Sequence, residues 1–133
     1  MSDQDDIVRL QQDYARLFDA RDADAYANLY TSDCVVTTPW GQEINGRDKM
    51  RKAVLHTPPG PGWHRPGETT IDVRGDAASA IARYTAMDRN GDLCTGRYED
   101  TYRKTPEGWR IASRKVFIEE RTPAGAWSEE ASA

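Results

Sequence analysis

Cysteine is scarce in this chain. Cys34 and Cys94 stand far apart, and no Cys-x-x-Cys or Cys/His grouping accompanies them. That excludes a zinc module or a disulfide-stapled scaffold, and the two residues read as buried, reduced thiols. No run approaches the ~20 apolar residues of a membrane-spanning helix. The N-terminal MSDQDDIVRL is acidic and lacks the apolar stretch of a signal peptide. An excess of basic charge is also missing. With 18 Lys+Arg against 22 Asp+Glu the formal net charge is −4, and neither sign forms a long block. A nucleic-acid binder needs a basic face. These absences point to a soluble, cytoplasmic protein whose partner is a small molecule, not nucleic acid or membrane. Histidine is scarce too: any imidazole chemistry falls to His56 or His64.

What the chain does have is length for one domain and a good supply of rings. Its 133 residues fit a single domain over 1–133, with an ordered core of about 5–120 and a polar, small-residue tail over 121–133 expected to be mobile. The 4 Trp, 6 Tyr and 2 Phe make up for a lean hydrophobic fraction of 38%. Trp and Tyr join an apolar body to a polar tip, which suits a pocket for a partly polar ligand.

The periodicities change once along the chain. Ile7, Leu10, Tyr14, Leu17 and Phe18 form one helical stripe, with Gln11, Asp13 and Arg16 assigned to the wet side and Ser2 or Asp3 as cap. A second helix is expected over 23–30, a short strand over 34–38, a return strand near 42–45, and a third helix from 46 to about 56. The run over 57–62 holds three prolines and two glycines and reads as a lip beside a pocket. Long strands follow over 63–74, 77–89, 93–104 and 109–119, separated by turn signals such as Asn90-Gly91. Helices first and a meander of strands afterwards indicate an α+β fold. A long sheet twists and curls, so three helices over its concave face would enclose a conical pocket.

Some polar residues sit at apolar positions. Strand alternation over 94–103 puts Cys94, Gly96, Tyr98, Asp100 and Tyr102 on one face, so Asp100 is a carboxylate among apolar neighbours. It is either a satisfied structural acid, paired for instance with Arg114, or a site residue. Tyr14 lies on the buried stripe of the first helix, where core packing is the simple reading and its hydroxyl still needs a partner. Asp19 reads first as a cap for the second helix. His64 opens a strand; strict alternation sets it opposite Ile71 and Val73, and a bulge at Pro66-Gly67 would reset that register.

The segments YARLFDARDADAYANLY, TPWG, GRDKM and GRYEDTYRKTPEGWRIASRKV resemble the nuclear-transport-factor-two-like, or SnoaL-like, superfamily over about residues 5–120. The resemblance implies a curved sheet with three helices around a pocket. It leaves function open, because members include dehydratases, isomerases, polyketide cyclases and binding proteins. Against ketosteroid isomerases, Tyr14 and Asp100 match the oxyanion-hole positions, but Thr38 stands where their base should be. Against scytalone dehydratase and hexachlorocyclohexane dehydrochlorinase, His64 matches the base and Asp19 the acid that holds it. The dehydratase's second histidine has no counterpart, and Glu68 stands where Asn is common.

The resemblance therefore implies a cofactor-independent, metal-free lyase or isomerase acting on a small, largely apolar cyclic, polyketide, terpenoid or steroid-like substrate. Its site would comprise His64, Asp19, Tyr14 and Asp100, with Phe18, Trp40, Trp63, Tyr84, Met87, Tyr98 and Phe117 as lining. A homodimer through the outer face of the sheet is expected. The alternative is a non-catalytic binding or accessory domain of the same fold, distinguished by whether His64 and Asp19 meet inside one cavity.

Overall fold

In the computed structural model, residues 2–57, 62–88 and 90–124 are described. The expected tail from 125 onward and most of the expected lip over 57–62 lie outside them. The chain opens with α1 (Asp3–Asp19), started by a capping box in which Ser2 Oγ accepts from the Asp5 amide and the Asp5 carboxylate accepts from the Ser2 amide. Then come α2 (Ala23–Ala27), β1 (Tyr30–Thr37), β2 (Glu43–Asn45), α3 (Arg47–Leu55), β3 (Trp63–Arg74), β4 (Ala77–Met87), β5 (Leu93–Thr105) and β6 (Gly108–Thr122). None of these helices is long and apolar enough to cross a membrane.

The six strands form one curved, unclosed sheet in the order β2-β1-β6-β5-β4-β3. Strands β3 to β6 are an antiparallel meander, and β1 joins β6 in parallel. The second helix is shorter than its sequence suggests because the chain turns into β1 at Tyr30. There the Leu29 carbonyl accepts from the Ile111 amide at 2.8 Å, and the Tyr30 carbonyl accepts from Arg47 Nη2 at 2.7 Å. Competing sheet and side-chain partners override the local helical pattern.

The alternation expected in β5 is realised: Cys94, Gly96, Tyr98, Asp100 and Tyr102 are all buried on the concave face. On β4 the same face carries Ala78, Ala80 and Ala82, whose small side chains leave room for α1 to lie across the sheet. Ile7, Leu10 and Leu17 from α1 pack there with Tyr26, Tyr30, Tyr102, Trp109 and Ile111. Gln11 corrects the sequence reading. It is 7% exposed, on the packed face and not the wet one.

Two glycines shape the sheet where the cavity forms. Between Pro66, opposite Tyr84, and Thr69, opposite Ala82, β3 holds one residue more than β4. This bulge shifts the alternation by one, so His64 turns to the same concave side as Ile71 and Val73. Gly67 makes the close approach: a Cβ there would stand 3.3 Å from the Arg83 carbonyl oxygen. At Gly96 the space is filled by the Tyr84 hydroxyl, which donates to the Phe117 carbonyl at 2.9 Å. A Cβ on Gly96 would lie 1.9 Å from that carbonyl oxygen and 2.7 Å from the hydroxyl. Gly96→Ala is therefore expected to destabilise by at least the ~1–3 kcal/mol typical of overpacking. A lower urea midpoint at unchanged m-value would report it, and an unchanged midpoint would show that the β5–β6 register can slide.

Candidate functional site

Asp19 is the last residue of α1, at the end where the helix dipole disfavours a carboxylate. It does not cap the next helix. Asp22 does that, accepting from the Ala25 amide at 3.3 Å. Both Asp19 oxygens instead go to His64. Oδ1 accepts from the ring Nδ1 at 2.8 Å, and Oδ2 accepts from the backbone amide at 2.9 Å. A carboxylate can only accept, so it fixes the imidazole with the proton on Nδ1 and the lone pair on Nε2. The ring is held edge-on by Phe18, with centroids 5.0 Å apart, and by Tyr14, at 5.9 Å. His64 and Asp19 are 23% and 26% exposed, sheltered yet reachable.

His64 opens onto a cleft lined also by Gln11, Tyr14, Tyr84, Tyr98 and Arg114. The cleft is narrow, with about 300 Å³ free of protein atoms. Its floor is Arg114, 1% exposed and clamped from behind by Asp100. Arg114 Nε donates to Asp100 Oδ1 at 2.8 Å and Nη2 donates to Oδ2 at 2.8 Å. The Tyr102 hydroxyl adds a third donor to Oδ2 at 2.6 Å. Burial works against the guanidinium's charge, but the Asp100 carboxylate more than offsets it and pushes Arg114 well above the usual arginine range.

The guanidinium also lies between two rings. Its carbon is 4.3 Å from the centre of Tyr14 and 4.1 Å from that of Tyr98, within cation–π range. The remaining nitrogen, Nη1, is buried and has no hydrogen-bond partner among the described residues. A buried donor without an acceptor is uncommon, and the residue that carries it also lines the cleft. Nearby, the Tyr98 hydroxyl donates to the Tyr14 hydroxyl at 3.4 Å, and no described residue accepts the Tyr14 proton. Burial raises Tyr98 well above the ordinary tyrosine range and Tyr84 to about 12, so both stay neutral phenols.

The residues foreseen as a site divide into two groups. His64, Asp19, Tyr14, Phe18, Tyr84 and Tyr98 come together around the cleft, and Asp100 stands one layer behind, its oxygens turned to Arg114. The others lie elsewhere. Trp40 sits on the β1–β2 turn, 73% exposed. Trp63 is half-buried and stacks on the Arg65 guanidinium. Phe117 alternates to the outer face, where it packs under Arg97 and contributes only its carbonyl to Tyr84. Met87 is half-buried at the end of β4. Sequence reasoning placed Arg114 only as a partner for Asp100 and missed Gln11 in the cleft.

Residues 1–115 match the SnoaL-like domain. The chain belongs to that family. An uncharacterised protein of Mycobacterium tuberculosis, Rv2910c, is 31% identical to this SnoaL-like protein over 123 residues, 86% of this chain and 84% of its own. A candidate scytalone dehydratase from Novosphingobium aromaticivorans has a solved structure that superposes with a TM-score of 0.81 at 23% identity, covering 90% of this chain and 86% of that one. The crystal structure of LinA superposes with a TM-score of 0.82 at 16% identity, covering 90% and 88%. At these identities the two structures establish the fold, which is the nuclear-transport-factor-two-like one.

The Arg114–Asp100 pair yields a prediction. Asp100→Asn leaves a fully buried arginine charge without its counter-ion, and breaking such a pair costs about 3–5 kcal/mol. Chemical denaturation should show a loss of this size, and the Asp100→Leu, Arg114→Met double variant should recover most of it. A single variant as stable as the wild type would mean that Arg114 finds another partner.

Proposed function

We propose that this SnoaL-like protein is a cofactor-independent lyase or isomerase in which His64 removes a proton from carbon. The observation that carries this reading is the use of both Asp19 oxygens on His64. A merely structural histidine needs one partner. A base needs its tautomer and its aim fixed, and the Asp19 clamp supplies both. The lone pair on Nε2 takes a proton from the carbon beside a carbonyl. The C–H electron pair moves into an enolate, whose oxygen receives a hydrogen bond from the Tyr14 hydroxyl and is stabilised by the Arg114 charge behind that ring. The enolate then expels a leaving group from the next carbon, or is reprotonated elsewhere by the His64 imidazolium. Elimination follows in the first case and isomerisation in the second, and neither needs a metal or a redox group. Asp100 acts behind Arg114 as its fixed counter-ion and not as a neutral donor. The aromatic walls favour a small, largely apolar substrate, and the dehydratase-like neighbour in fold supports the same class of reaction.

We also propose that the protein works in the cytoplasm as a homodimer. Cys34 and Cys94 are free and buried, in keeping with a reducing compartment. Among the described residues no helix covers the outer face of β3 to β6, and Ile81 is 51% exposed there. A stable pair would bury at least about 1,000 Å² in total. Sedimentation should report twice 15.0 kDa at micromolar concentration, and a single 15.0 kDa species would count against the pairing.

The base is testable before the natural substrate is known. In D₂O the protein should accelerate the loss of α-proton NMR signal from aryl and cyclic ketones. His64→Ala should lower that acceleration by about 10²–10⁴-fold, the usual share of a general base. Its stability should fall only at the modest end of ~0.5–3 kcal/mol. Exchange that is equally fast with His64→Ala would leave a non-catalytic binding domain as the better reading.

A further inference from the structure

Gln11 stands one helical turn before Tyr14 on the packed face of α1, and its amide joins two parts of the site. Nε2 donates to the Tyr102 hydroxyl at 3.1 Å and to Thr69 Oγ1 at 3.1 Å. Hydrogen-bond bookkeeping fixes which way the amide faces. Asp100 is the counter-ion of Arg114 and can only accept, so the Tyr102 hydroxyl spends its single proton on Oδ2 at 2.6 Å. The Tyr102 oxygen can then only accept, and what faces it must be the NH₂ end of Gln11. With both amide protons committed, Oε1 cannot exchange places with Nε2. No described residue donates to Oε1, and it is not among the buried atoms sealed off without a partner. Gln11 is nevertheless 7% exposed and lines the cleft with His64, Tyr14 and Arg114.

The polarity of the cleft follows. Tyr14 presents a donor, Arg114 lends its positive charge from behind the rings, and Gln11 presents an acceptor that the network prevents from turning. Once a ligand excludes water, an acceptor left unserved weakens binding by about tenfold or more. We propose that Gln11 is a specificity-determining residue whose Oε1 accepts a hydrogen bond from a hydroxyl on the substrate, so that the site selects hydroxylated carbonyl compounds over their ethers and deoxy analogues. The inference rests on the base-and-oxyanion reading of the site given above. It adds a third point of contact, and with it a substrate class. Because the amide is locked through Tyr102, the choice is built into the same network that holds Arg114 in place.

Three probes separate the outcomes: 2-hydroxyacetophenone, 2-methoxyacetophenone and acetophenone. Each α-proton exchange rate in D₂O is divided by its rate in buffer alone. The wild type should favour the hydroxy ketone over the methyl ether by about tenfold or more, the size of discrimination expected when a site built for a hydroxyl meets a ligand without one. Gln11→Met, similar in length and without an acceptor, should bring that ratio to within about twofold. The ratio is read separately from any overall loss of rate, and the melting temperature checks that the variant is folded. A wild-type ratio below twofold overturns the role of Gln11 while leaving the base in place, and needs no variant. A preference that survives in folded Gln11→Met also overturns it. Should the wild type exchange none of the three ketones, the base reading fails, and the role of Gln11 fails with it.

Discussion

The buried ion pair between Arg114 and Asp100 organises the centre of this molecule. Each charge alone would be expelled from so dry a place, and together they are tolerable only because every Asp100 lone pair that matters is used. Two accept from Arg114 and one from Tyr102, which in turn accepts from Gln11 of the first helix. The pair thus ties β5 and β6 to α1 through polar contacts laid inside an apolar shell. It also leaves one arginine nitrogen over.

The dyad is built by different means. His64 and Asp19 meet because α1 ends over the start of β3, and the carboxylate sits where the helix dipole gives it no help. Two donors from a single residue compensate for that unfavourable position. Aromatic rings then close around the pair: Phe18 and Tyr14 on the imidazole, and Tyr14 and Tyr98 on the guanidinium. Tyr14 therefore touches both halves of the site, and the helix that carries it sets the spacing between imidazole and guanidinium.

Much of this could be read from the chain. The period-two pattern around Asp100 was sufficient to place it inward, because a strand between two neighbours has little freedom to rotate. The bulge was legible from Pro66-Gly67, since that pair combines a missing amide with a residue that permits close approach. Other assignments failed for identifiable reasons. Gln11 was set on the wet side by its chemistry, although at 100° per residue it lies only about 40° from Ile7 and inside the apolar arc. Angle decides burial on a helix, and polarity only decides what must be done about it. Asp19 resembled a cap because capping is local, whereas its true partner lies 45 residues away. Phe117 was judged by bulk, and the strand's alternation sent its ring outward.

The extra residue between Pro66 and Thr69 has a consequence for how relatives of this chain should be compared. It alone decides that His64 looks inward. Losing one residue there would keep the histidine in the sequence, at the same distance from its strand-mates by eye, and turn it to the opposite face. In such a chain Asp19 would lose its partner and the cleft its imidazole, with no change in any of the residues that form them. An alignment column holding histidine is then insufficient to infer the chemistry, and the count of residues down to Thr69 carries the missing information. Enzymes and silent binding proteins of one fold can differ by a single step in register.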